Sequence, residues 1–177
     1  GSLEEYQASL GMVARIGAVD EANRARVVQI INKTNQFNLT TRRRNQAELT
    51  AFLARPGAEA FWVRLSDKFA DHGLIAVALA EAEGDALVID TLLMSCRVLG
   101  RGVEALLLAE IAARAAARGL ARVEGCYIPS GRNGMVADLY PRLGLAEVAR
   151  DGDGGSRWAA PPAALTAGTA SIAVERV

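Results

Sequence analysis

A chain of 177 residues with 51% apolar side chains has the material for one sizeable core. Twenty basic and twenty acidic residues cancel, so no global field gathers nucleic acid and any anion site must be local. No apolar run approaches the ~18 residues that a membrane span needs, and two cysteines, Cys96 and Cys126, do not make a disulfide framework; a reducing, cytoplasmic setting is expected.

In chain order, Gly1-Ser2 reads as the remnant of a cleaved tag, and residues 1–9 as linker. Hydrophobic periodicity predicts a strand at Met12–Ile16, then helices over Asp20–Asn32 and Thr41–Leu53. The apolar segments Phe61–Ser66, Leu74–Glu83 and Ala86–Met94 follow, joined by short turns, and predict an antiparallel meander. His72, the only histidine, falls in one of those turns with no motif around it. A long Ala/Leu-rich helix is expected from Val103 to Arg118, weakly amphipathic and therefore largely covered. A strand at Arg122–Tyr127, a helix over Gly131–Tyr140 and two last strands about an Asp151–Gly155 hairpin complete residues 10–160. Pro161-Pro162 opens an Ala/Thr/Gly stretch, and strand character returns only at Ser171–Val177. Residues 161–177 are thus a flexible tail or an edge strand. The expected fold is α/β (α+β), a single domain with a central mixed, mostly antiparallel sheet flanked by helices.

Arg97-Val98-Leu99-Gly100-Arg101-Gly102 lies where an apolar strand runs into that long helix. A Gly-x-Gly turn there leaves backbone N–H groups unpaired at the positive end of the helix dipole, a cradle for phosphate or pyrophosphate. The same residues also suit a tight turn with no ligand. Gly102 is followed by Val103 and Glu104, not the Lys-Ser/Thr of a P-loop. Gly100, Gly102 and Ala105 fit a dinucleotide fingerprint, with Glu124 about 20 residues on, but the upstream meander lacks the strand–helix–strand units that fold requires. Asp151–Gly155 lacks the ligand series of a calcium loop, and no metal is expected.

The link between the first two helices, Asn32 to Arg44, concentrates amides, hydroxyls and three arginines. Asn35, Gln36, Asn38, Thr41 and Arg42 suit recognition of a phosphorylated or carboxylated substrate. Asn38 and Thr41 equally suit helix caps. Arg42–Arg44 also suit contact with an acidic partner.

Arg-x-x-Gly-x-Gly after the fourth strand resembles the coenzyme A pyrophosphate loop of the GNAT acetyltransferase family. Asn133, Tyr140 and Arg142-Leu143-Gly144-Leu145 resemble that family's closing motif. The resemblance spans residues 10–160 and implies a GNAT-like fold. It implies that coenzyme A or a carrier protein's phosphopantetheine is held by Met94, Arg97, Val98, Leu99, Gly100, Arg101, Gly102, Val103 and Asn133. It also implies Tyr140 as general acid to a departing thiolate. Read from the residues alone, Tyr140 fits a buried structural tyrosine as well, and Asn133 a helix cap.

Longer strings are similar to the C-terminal region of FkbH-like proteins. They are Val27 to Arg43, Trp62-Val-Arg-Leu-Ser-Asp-Lys-Phe69 and Asp90-Thr-Leu-Leu-Met-Ser-Cys-Arg-Val-Leu-Gly-Arg-Gly-Val-Glu104. That resemblance implies a domain of a synthase that loads a glyceryl or related hydroxyacyl unit onto an acyl carrier protein in polyketide biosynthesis. An N-terminal haloacid-dehalogenase-like phosphatase domain would precede it; its Asp-x-Asp-x-Thr loop has no match here. Cys96, before Arg97, is the candidate nucleophile for an acyl group in transit, and otherwise a small packed residue. Two further readings stay open: a carrier-docking module without chemistry, and an independent acetyl-coenzyme A-dependent N-acetyltransferase.

Overall fold

The structure, a computed structural model, describes residues 1–166 and 171–177. Its centre is an eight-stranded sheet in the order β6-β7-β5-β4-β3-β2-β1-β8. The strands are β1 (Met12–Gly17), β2 (Ala58–Ser66), β3 (Asp71–Glu83), β4 (Ala86–Met94), β5 (Arg122–Tyr127), β6 (Ala146–Arg150), β7 (Ser156–Ala160) and β8 (Ile172–Arg176). Neighbours run antiparallel except β4–β5 and β1–β8.

Helices cover both faces, which is why β3 and β4 read as continuous apolar runs rather than alternating ones. On one face α4 (Val103–Ala117) buries Leu107, Ile111 and Ala115 against Leu87, Ile89 and Val123. On the other, α2 (Arg24–Lys33) and α3 (Gln46–Leu53) bury Val27, Ile31, Leu49 and Phe52 against Val77, Leu79 and Leu93.

Several boundaries differ from those the sequence predicts. Leu3–Ser9, expected as linker, form helix α1, capped by the Ser2 hydroxyl. Asp20 and Asn23 exchange side-chain-to-backbone hydrogen bonds, so the chain there is a turn and α2 starts only at Arg24. The second helix begins at Gln46 rather than Thr41, because Asn45 and Glu48 form a capping box. The expected helix over Gly131–Tyr140 is broken into a 3₁₀ turn at Gly134–Val136 and the short α5 (Leu139–Arg142). Gly134 and Pro141, each a poor helix residue, sit in that stretch. Within the Ala/Thr/Gly stretch, residues 167–170 lie outside the described residues; β8 beyond them pairs with β1 at the sheet edge.

One feature of the sheet governs the site. β4 and β5 pair only from Ala86↔Arg122 to Ile89↔Gly125, and then diverge. The chain's own segment Phe37–Thr40 fills the gap. Leu39 N–H donates to Leu92 O (3.2 Å), Met94 N–H to Phe37 O (3.1 Å), and Ile128 N–H to Leu39 O (2.9 Å). Asn38 bridges to Leu93 as a strand residue would. Phe37 and Leu39 are buried in the central core. The wedge therefore pairs both diverging edges, as buried backbone groups require.

Candidate functional site

Helix α4 begins at the glycine turn. Gly100 (φ 77°) and Gly102 (φ 84°) adopt the left-handed region, which glycine enters without steric cost. Val98 and Val103 are fully buried on either side and hold the turn against the core. Among the described residues, no protein group accepts a hydrogen bond from the amides of Gly100 through Ala105; the first helical bond is Leu106 N–H to Gly102 O. A Cβ placed on Gly100 would meet nothing within 4 Å, so the turn faces open space. The Gln7 side chain of α1 donates to Gly100 O (2.7 Å) and braces it. This arrangement fits a phosphate group: convergent donors, an open approach and a helix dipole of the right sign.

Arg101 does not serve the cradle. Its guanidinium is paired with Asp67, which also bonds His72 Nε2 (2.9 Å). The hydrogen bond from His72, with those from the Phe69 and Ala70 amides and from Arg101, holds the Asp67 carboxyl well below the usual carboxylate range against a desolvation that raises it. Arg101 and His72 thus clamp the Asp67 loop to the glycine turn.

Three residues before Gly100, Arg97 stands in the wall of a cavity of about 820 Å³ together with Asn35, Gln36, Ser95 and Cys96. Cys96 opens the 3₁₀ turn Cys96–Val98 and is exposed, with Sγ 3.5 Å from Gln36 Oε1 and 4.0 Å from Met135 Sδ. Arg97 Nε donates to Ser95 Oγ (3.1 Å), which orients its head at the cavity edge. Arg26, Lys33 and Arg132 also line this space. Nothing local in the sequence marks Arg132. Arg26, Ile30 and Lys33 do share one helix face by their spacing, a signal available in the sequence.

The remaining expected site residues have structural work instead. Asn38 is 0% exposed inside the wedge; its Oδ1 accepts from Thr41 N–H (2.9 Å) and its Nδ2 donates to Thr34 O (3.2 Å). Thr41 takes a positive φ of 53° to turn the chain out of the sheet. Arg42 and Arg44 both pair with Asp90 on β4, and Thr40 Oγ1 donates to Asp90 O. Burial pushes the Asp90 carboxyl up, but hydrogen bonds from Arg44 and Thr91 and the charges of Arg44 and Arg42 outweigh it and lower it. Arg43 donates to Ile31 O and Thr34 O at the end of α2, and to Asn35 Oδ1. The three arginines expected to meet an acidic partner are therefore spent on the chain's own oxygens.

Asn133 is likewise consumed. It is 0% exposed; Nδ2 donates to Asn38 O and Ile128 O (both 2.9 Å), and Oδ1 accepts from Ser130 N–H (3.0 Å). It rivets the wedge to the end of β5 and has no donor left for a ligand arm. Met94 is buried and paired to Phe37, though it reaches the cavity wall. Tyr140 is 1% exposed, with its hydroxyl buried and unpartnered among the described residues. Its ring lies flat enough against Gly125 that a Cβ there would sit 2.4 Å from Cζ. Burial pushes its phenol up, away from proton donation or release, so the expected general acid is a core residue in this conformation. Cys126, half-buried and raised by desolvation, sits with Arg42, Asp90, Glu124 and Arg157 at a small pocket of about 240 Å³ on the sheet.

Among the described residues, no cluster of three or more His, Cys, Asp or Glu side chains could hold a metal ion, and no helix is long and apolar enough to cross a membrane.

No protein-family model matches this chain, and no curated protein sequence matches it. Solved structures do resemble it. Thermoplasma acidophilum PaiA N-acetyltransferase, in complex with coenzyme A, is 11% identical with a TM-score of 0.67, over 84% of this chain and 98% of that one. Vibrio cholerae spermidine N-acetyltransferase, in complex with coenzyme A and spermine, is 12% identical with a TM-score of 0.63, over 87% and 98%. The GNAT domain of S. lividans PAT is 17% identical with a TM-score of 0.61, over 82% and 89%. The fold is GNAT-like: one domain, a mixed sheet and flanking helices.

Proposed function

We propose that this GNAT-like domain grips the phosphate of a phosphopantetheine arm, borne by an acyl carrier protein or by coenzyme A, and serves acyl transfer within an FkbH-like synthase. The acyl unit would be glyceryl or a related hydroxyacyl group, with a phosphatase domain upstream in the parent chain. The observation that carries this reading is the run of uncommitted amides from Gly100 to Ala105, which follows Cys96 and Arg97 of the cavity wall by a few residues in the chain. Those amides would hold the phosphate, as helix N-termini do. The arm, when bound, supplies the thiol that bears the acyl group. Two of the similar structures contain coenzyme A, and the long strings shared with FkbH-like proteins supply the carrier-protein context.

The chain's own residues divide the remaining work. Gln36 and Met135 flank the Cys96 thiol and fix its position. Cys96 is the nucleophile lining the cavity; its Sγ forms a bond to the acyl carbonyl carbon as the donor's C–S bond breaks, and the proton that leaves Sγ goes to the departing sulfur, so the donor leaves as a thiol. Onward transfer reverses the same exchange, so neither an oxidant nor a net proton is required. The wedge Phe37–Thr40 keeps the interior of the sheet closed, which confines an arm to the outer cavity.

A docking module without chemistry is the second reading, favoured by the burial of Tyr140 and by the closed sheet. An amine acetyltransferase is disfavoured by Arg26, Lys33, Arg97 and Arg132 at the cavity, which would repel an ammonium substrate.

Calorimetric titration with holo-carrier protein, apo-carrier protein and coenzyme A tests the phosphate grip. Saturable binding that requires the phosphopantetheine supports it, and equal binding of apo- and holo-carrier overturns it. Cys96→Ala in the full-length synthase separates the two readings. Loss of carrier loading and of an acyl mass on this domain supports transit, whereas unchanged loading leaves docking as its role.

A further inference from the structure

Eleven of this protein's eighteen arginines are ion-paired among the described residues, while Arg24, Arg43, Arg64 and Arg157 are scattered exceptions. Arg15 meets Glu175, Arg44 meets Asp90, Arg114 meets Glu110, Arg118 meets Glu59, Arg122 meets Asp85 and Arg150 meets Glu147. With twenty acids for twenty bases, pairing partners are not scarce. Yet Arg26, Lys33, Arg97 and Arg132, drawn from α2, the Ser95–Arg97 turn and the loop before Asn133, meet around one cavity without a carboxylate. Among the described residues, none of these four heads is in an ion pair, and no Asp or Glu lines the wall.

The neutral groups have the same polarity. Asn35 Oδ1 is already bonded by Arg43, and Gln36 Oε1 by the Cys96 thiol. The Thr34 hydroxyl donates back to Ile30 O, and Ser95 Oγ accepts from Arg97. The amide N–H₂ groups of Asn35 and Gln36 donate to nothing among the described residues. The wall therefore offers free N–H donors and cations, and its acceptors are neutral amide and hydroxyl oxygens. All four residues are exposed, so water and salt screen their mutual repulsion, and a bound anion would supply the counter-charge that the wall lacks.

We propose that the cavity is an anion site of its own, separate from the amides of Gly100–Ala105, and that it recognises an acyl group whose far end is itself charged, by a carboxylate or a phosphate. Naming the ligand an acyl group rests on the reading above; the anion site rests on the cavity alone. Its concave shape and a volume of about 820 Å³ suit a small ligand. Cys96 in the same wall places the anionic end of such a group among the cations while its carbonyl end reaches the thiol. Of the acyl units named above, a related hydroxyacyl group bearing a terminal carboxylate or phosphate meets this condition, and free glyceryl, with its neutral far end, does not.

The test uses this domain with small anions and no pantetheine. Backbone and side-chain amide NMR shifts are followed during titration with succinate and with 3-phosphoglycerate, against glycerol and against potassium chloride at matched ionic strength. Saturation by either dianion, seen at Asn35, Gln36 and Arg132 and absent with glycerol, is the expected result. A carboxylate-selective or phosphate-selective response identifies the terminal group. Lys33→Ala and Arg132→Ala should each weaken binding about tenfold, the loss of one charge-assisted contact, while Arg132→Lys recovers much of it. No saturable shift, shifts confined to Gly100–Ala105, or binding unchanged in both alanine variants would overturn the proposal. Binding of an acidic carrier protein at this cavity with no small anion bound would overturn it too. None of these outcomes touches the phosphopantetheine titration, so the two readings fail separately.

Discussion

Two neighbouring regions treat polar groups in opposite ways. In the wedge between β4 and β5, polar groups are largely partnered within the chain: Asn133 bonds three backbone groups, Asp90 pairs with both Arg42 and Arg44, and Phe37 and Leu39 complete the strand edges. A few residues away, the Gly100–Ala105 amides have no protein acceptor and the four cations of the cavity have no carboxylate partner among the described residues; Arg26 meets only the Gln29 amide oxygen, and Arg97 only Ser95 Oγ and His72 O. Matched groups make a rigid body, and unmatched ones stay open to water or to a ligand. The wedge residues also frame the site: the segment that fills the sheet begins immediately after Gln36, which touches Cys96.

The contrast predicts where substitutions are costly. Asn133→Ala strips a fully buried rivet and leaves Asn38 O, Ile128 O and Ser130 N–H unpaired. A loss of about 3 kcal/mol is expected from urea unfolding at neutral pH. If the loss is within error, the wedge is not held as described.

Acidification should attack the same region next. The Asp90 carboxyl lies below its ordinary value of 3.8 in the folded chain, so its contribution is present above that value and is lost as pH falls through the lower folded value. Asp67 acts in the same direction. Thermal stability should therefore drop below about pH 4, and Asp90→Asn should flatten that slope while lowering stability at pH 7. An unchanged slope would separate Asp90 from wedge stability.

Tyr140→Phe has the opposite sign. Removing a buried hydroxyl without a partner should raise stability by about 1 kcal/mol. A decrease would show that the hydroxyl has a partner in solution, and would return Tyr140 to consideration as an acid.

The smallest effect belongs to the cavity. Arg26→Ala removes a head with no ion pair, and unfolding should shift by less than about 0.5 kcal/mol. A larger loss would make that arginine part of the scaffold rather than of a site.

The glycine turn was legible because its signal is local. Gly100 and Gly102 stand between an apolar strand and an Ala/Leu helix, and β4, β5 and the start of α4 fall where the pattern puts them. The boundaries that moved did so through side-chain bonds of Asp20, Asn23, Asn45 and Glu48, which hydrophobic periodicity does not register. Asn35 and Gln36 reach the cavity wall as expected, while Asn38, Thr41 and Arg42 do not. Their chemistry is the same in either setting; an amide that recognises a ligand and an amide that rivets a loop have identical residue codes. Tyr140 shows the same limit, since its place against Gly125 is fixed by how the chain after β5 packs.

By itself, the sequence determined the single domain, the meander into the long helix and the glycine turn between them, because strand and helix periods and glycine conformations act over a few residues. Only the tertiary structure decided that Phe37–Thr40 closes the sheet, that Arg42 and Arg44 are spent on Asp90, and that Arg26, Lys33, Arg97 and Arg132 converge. Those outcomes join residues far apart in the chain, where the pairing of buried polar groups, and not any local preference, chooses the partner.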